Sequence, residues 1–134
     1  MNALLIARTT DGLGPEWADA IRRGYRFFAE RFFLADGTPK YFHDRLFPID
    51  IHSAAQAMVT FAEFAPDEAG ALEAGRRVAG WALANMRGRG GLFYFQKHPY
   101  YTNRTSYVRW SQAWMLYGFA RLLAAEGIAE STAE

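Results

Sequence analysis

The chain has 134 residues, a net charge of +1 and no cysteine. That length holds one domain with a sizeable core. The near-neutral balance leaves no strong field for nucleic acid or an anionic membrane, and the lack of cysteine excludes disulfides and thiolate metal sites.

The opening Asn2–Arg8 reads as the last two turns of a helix, about 2–8. Its apolar run, Ala3 to Ala7, lacks a basic flank and a small-residue cleavage site, so neither a signal peptide nor a membrane span is expected. A cysteine-free chain is neutral about compartment and fits a reducing cytosol, and a cytoplasmic location is the expectation. Pro15 then opens a helix over about 15–33, with Trp17, Ile21, Tyr25, Phe28 and Phe32 at steps of three and four. Asp36, Gly37 and Pro39 break it, and Lys40–Asp44 reads as strand-like. A helix over 50–65 follows, with Asp50 as its N-cap and Ala54, Ala55, Met58, Val59 and Phe61 along it. A tight turn at Ala65–Asp67 leads to a third helix over 67–87, which the glycine-rich 87–91 stops. Residues 92–107 form a long, aromatic, hairpin-like excursion. The last helix, 107–126, is predicted to end at Gly127 as a C-cap, with a polar, frayed tail after it.

An internal repeat organises these elements. Asp50–Met58 lines up with Ser106–Trp114, so that Gln56-Ala57 and Gln112-Ala113 lie 56 positions apart. Gly37 and Gly91 lie 54 apart, so the second loop is longer by two. Each unit is a helix, a glycine break, an aromatic loop and a second helix. Alternating long-loop and short-loop helix pairs spell an α/α toroid or solenoid, with loops 34–49 and 88–107 on one end. The fold class expected is therefore all-α: a single partial domain, 1–134, of tandem α-hairpins with short β-hairpin-like aromatic loops at one end. Two and a half units do not close a ring, and repeats bury their faces against neighbours. Trp110, Trp114 and Tyr117 share one helical face while Leu116 lies well off it. Exposed apolar flanks are expected, covered either by an N-terminal part of a longer toroid or by self-association into a homo-oligomer.

The stretches from Leu34 to Phe61, LADGTPKYFHDRLFPIDIHSAAQAMVTF, and from Phe93 to Leu123, FYFQKHPYYTNRTSYVRWSQAWMLYGFARLL, resemble the C-terminal part of bacterial six-hairpin (α/α)6-toroid proteins. Those proteins are glycosidase-like and associated with polysaccharide biosynthesis. The resemblance covers roughly Trp17 to Leu123. It implies a carbohydrate-facing cleft, a saccharide or polysaccharide partner, and a chain that is part of a longer ring.

In such a toroid the inner helices begin at the long-loop end, which places Asp50, His52, Arg109 and Trp110 near one rim. His52 and Asp50 are two apart and no third ligand is in register, so no metal is expected, and nothing points to another cofactor. Asp50 has two readings, a helix cap or a carboxylate for proton transfer. His52 is either a packed core histidine or a proton carrier, and His43 either a solvated loop residue or a shuttle. These three are the candidate catalytic residues. Tyr94, Tyr100 and Tyr101, with Lys97, Arg104, Arg109 and Trp110, are the candidate substrate-binding residues. Flat rings match the C–H faces of pyranoses, and cations match anionic groups. The same rings also suit packing of the loop onto the helix ends. Strand alternation would turn Phe93 and Phe95 one way and Tyr94 the other. Arg109 in a first helical turn opposes the helix dipole, and a carboxylate such as Asp50 is its expected partner. Gln56 and Gln112 are expected to hydrogen-bond between inner helices. Three functions stay open: glycan hydrolysis, lysis or uronate epimerisation; a noncatalytic carbohydrate-binding or scaffold module; and a truncated inactive remnant that self-associates.

Overall fold

The computed structural model describes Thr10 and residues 14–133. The helix expected over 2–8 lies outside the described residues. Among those described, four α-helices and a small three-stranded sheet make up the chain. They are α1 (Pro15–Arg31), β1 (Ile49–Asp50), α2 (Ile51–Phe64), α3 (Ala71–Asn85), β2 (Gln96–Lys97), β3 (Thr102–Asn103), a π-helical turn (Val108–Ala113), and α4 (Trp114–Ala133), which continues directly from that turn.

α2 is the axis of the core. Ile51, Ala54, Ala55, Ala57, Met58, Val59, Thr60, Phe61, Ala62 and Phe64 are all buried. Its alanines let neighbours come close: a Cβ on Gly118 of α4 would stand 2.9 Å from the Ala55 carbonyl oxygen. Burying side chains such as Met58 and Phe61 is worth roughly 1.5–3 kcal/mol each. α1 meets α2 differently, through rings. Tyr25 stacks on Phe64 at 4.5 Å, and Phe28 lies 5.8 Å from Phe61. Large side chains hold the α1 backbone away from α2 and leave room beside them at the loop end.

Several boundaries differ from the sequence reading, each for a local reason. Lys40–Asp44 is not a strand: Lys40 turns back to donate to the Phe32 carbonyl, and Phe42 pairs only with Arg45 across a turn. The strand is instead Ile49–Asp50. α3 starts at Ala71, not Asp67, because the Asp67 and Glu68 N–H groups both donate to Phe64 O and extend the end of α2. Gly70, at φ +85°, then breaks the chain before α3. α1 stops at Arg31, two residues early. The last helix opens with a wide turn in which the Gln112 N–H reaches back to Tyr107 O, and it runs through Gly127 to Ala133. Gly127 has no positive φ, so it is a helical residue and not a cap. Along α4, Leu116, Leu123 and Ile128 are 64–72% exposed. No helix among the described residues is long and apolar enough to cross a membrane.

Candidate functional site

Both long connections lie at one end and join there. β1 pairs antiparallel with β2, with Ile49 opposite Lys97 and Asp50 opposite Gln96, and β2 pairs with β3. The two loops also begin with the same turn. The Leu34 N–H donates to Thr38 O, Gly37 to Leu34 O and Lys40 to Phe32 O. In the second loop Gly88 donates to Leu92 O, Gly91 to Gly88 O and Tyr94 to Met86 O. Every pair of equivalent positions is 54 apart, and both central glycines are left-handed, at φ +89° and +82°. The repeat read from the sequence is thus a repeat of hydrogen bonds.

Asp50 is buried, and both of its carboxylate oxygens are hydrogen-bonded. One carboxylate oxygen accepts from the His52 N–H at 2.8 Å, the N-cap bond of α2. The other accepts from Gln96 Nε2 at 2.7 Å and ties the second loop to the first. His52 follows it on α2 and is wedged edge-on between Trp110, at 5.2 Å, and Trp114, at 4.6 Å. Its Nδ1 is buried without a hydrogen-bond partner among the described residues. Burial pushes the imidazole below its ordinary value, and the Asp50 charge opposes that only in part. His52 is therefore a neutral ring at pH 7.

His52 also faces a cavity of ≈600 Å³ that opens between α1, the first loop and the start of α2. Its rings are Phe27, Phe28, Phe32, Phe33 and Tyr41; its polar groups are Lys40, His52, Ser53 and Gln56. The room exists because the α1 aromatics keep that helix off α2. Lys40 reaches over the loop to donate to the His43 carbonyl at 2.9 Å. The His43 ring stands 5.6 Å from Phe27 and 6.2 Å from Phe32, so it backs these rings and is not among the groups that line the cavity. No Asp or Glu among the described residues lines it.

The other predicted residues do not converge there. Tyr94 packs on the core beside Gly88, with the Arg104 guanidinium 5.6 Å over its ring. Phe93 is buried, while Tyr94 and Phe95 are both half-buried, Phe95 against Tyr107. Lys97 sits in β2 and Tyr100 is fully exposed at the tip of the β2–β3 hairpin. Tyr101 stacks on His98 at 4.4 Å. Trp110 covers His52. Arg109 makes no ion pair among the described residues, because Asp50 is turned toward Gln96 and the α2 N-terminus. Gln112 does not bridge helices. It clasps the Phe93 backbone, donating to its carbonyl at 2.8 Å and accepting its N–H at 3.0 Å, and donates to Ser106 Oγ at 2.8 Å. Lys40, Tyr41, Ser53, Gln56 and the α1 rings were not among the sequence candidates. Only Gln56 carried a signal, its match to Gln112.

Among the described residues no group of three or more His, Cys, Asp or Glu side chains is placed to hold a metal ion. No protein-family model, curated protein or solved structure matches the chain.

Proposed function

We propose that the chain is a carbohydrate-binding module built from part of an α/α toroid, and that it holds a saccharide in the cavity between α1, the first loop and α2. The tandem hairpins and the shared loop end support the toroid reading. The cavity itself carries the functional one: five Phe and Tyr rings face a small set of polar side chains in a concave site of ligand size. Rings bind the C–H faces of a pyranose, and Ser53, Gln56 and Lys40 supply donors for its hydroxyls. Among the described residues no carboxylate lines the cavity, and Asp50 is occupied in capping α2 and holding Gln96. Binding without catalysis is therefore the better reading. The exposed apolar side of α4 supports self-association, which light scattering would report as a mass above that of one chain.

The test is a glycan array followed by NMR titration of the whole chain. Saccharides should shift the resonances of Tyr41, Ser53 and Gln56, and Tyr41→Ala should weaken binding at least about tenfold. Binding should persist in Asp50→Asn, which keeps a cap oxygen. Shifts confined to Tyr100 and Tyr101, or none on any glycan, would remove the cavity from consideration.

A further inference from the structure

The two glutamines of the repeat occupy equivalent positions and have opposite fates. Gln112 makes three hydrogen bonds, two to the Phe93 backbone and one to Ser106 Oγ. The positions equivalent to its partners in the first unit are Pro39, 54 before Phe93, and Asp50, 56 before Ser106. Pro39 has no N–H to offer. The Asp50 carboxylate already accepts from the His52 N–H and from Gln96. The two-bond clasp that Gln112 makes on the Phe93 backbone therefore has no counterpart in the first unit, where the N–H is missing and the Asp50 carboxylate holds other donors. The Gln56 side chain has no hydrogen-bond partner among the described residues, and it lines the cavity with Ser53 and His52.

We propose that Gln56 is the specificity-determining residue of the cavity, and that it reads a vicinal diol of a pyranose with both ends of its amide. The inference rests on the saccharide reading of this cavity and adds which atoms do the selecting. In the second unit the same amide binds a neighbouring donor and acceptor at once. A vicinal diol offers that pairing to the first: one hydroxyl donates to Oε1 while the next accepts from Nε2. Ser53, one turn before Gln56, is placed to take a third hydroxyl, and the neutral His52 ring adds one donor or acceptor. Phe27, Phe32 and Tyr41 supply apolar faces for the sugar ring. No carboxylate among the described residues lines the cavity to compete for the amide.

The experiment titrates methyl gluco-, manno- and galactopyranosides, and the monodeoxy analogues of the best of them, into the wild-type chain, Gln56→Leu and Gln56→Glu. NMR follows the Gln56 side-chain NH₂ pair. The preferred sugar should shift that pair. Removing either hydroxyl of one vicinal pair should cost about tenfold or more in affinity, because a site built for a hydroxyl is left unpaired without it. Gln56→Leu should lose as much and should no longer distinguish the deoxy analogues. Gln56→Glu keeps the size and the acceptor but not the donors, and should lose affinity for the parent sugar as well. If sugars bind at the cavity yet the Gln56 variants match wild type, or still discriminate the deoxy analogues, this role for Gln56 is wrong while the binding site stands. If no sugar perturbs any cavity residue, the binding reading fails and takes this one with it.

Discussion

The two hairpin units share their turns and differ in how each is closed. In the second, Gln112 staples the loop onto the helix that follows it. In the first, the loop is held from outside: Gly37 lies against the backbone of α3, and Gln96 of the second loop grips Asp50. A repeat copies backbone geometry more faithfully than side-chain duty. Where a staple is unnecessary, the residue that would have made it faces open space, and the cavity is found there and not in the second unit.

The largest effect comes from the turns themselves. Both glycines have positive φ, where an alanine costs about 1–2 kcal/mol. At Gly91 nothing stands near an added Cβ, so Gly91→Ala should cost only that. At Gly37 the Cβ would meet the carbonyl carbon and oxygen of Arg77 at 2.5 Å, and a backbone cannot swing aside. Overpacking adds about 1–3 kcal/mol, so Gly37→Ala should lose about 2–5 kcal/mol in urea unfolding. Equal losses in the two variants would mean that the first loop does not lean on α3.

The glutamines come next. Gln112→Ala strips the partners from the N–H and the carbonyl of buried Phe93, and should cost about 3 kcal/mol. Gln56→Ala breaks no side-chain hydrogen bond among the described residues and should stay within about 0.5 kcal/mol of wild type. A large loss on changing Gln56 would reveal a structural bond at that position and weaken its assignment to a ligand.

Much of this scaffold was legible beforehand, and the reasons are local. Pro15 at a helix start, Asp50 as an N-cap and the spacing of Gly37 and Gly91 are signals carried within a few residues. The misplaced boundaries turned on backbone bonding that residue types do not spell out: the Asp67 and Glu68 N–H groups donate to Phe64 O, and Gly127 stays helical. The site was read less well. Aromatic spacing said that rings would gather at the loop end, but not that the Tyr94 ring would pack on the core while Phe27, from α1, would face the cavity. The difference between Gln56 and Gln112 depends on what stands 17 residues before one and 19 before the other, Pro39 and Phe93, and a pairwise match of the repeat does not display it.

The smallest effect distinguishes the units by charge. The position in the second unit that corresponds to His52 is Val108, an exposed residue that cannot titrate. His52 has its proton affinity lowered in the fold, first by burial, with Asp50 opposing. Lys40 and the Tyr41 hydroxyl line the cavity with it. A depressed histidine binds fewer protons folded than unfolded, so stability rises with pH across its window. The stabilisation is intact above the ordinary value of 6.5 and declines as the pH falls from there toward the lowered value. Asp36 has its own value lowered by hydrogen bonds from Thr38, and it enters only on further acidification, below 3.8. Urea midpoints between pH 7.5 and 5 should therefore drop in wild type and drop less in His52→Val, which borrows the residue of the second unit. Parallel curves for the two proteins would show that the wedge between Trp110 and Trp114 holds the charged ring as readily as the neutral one.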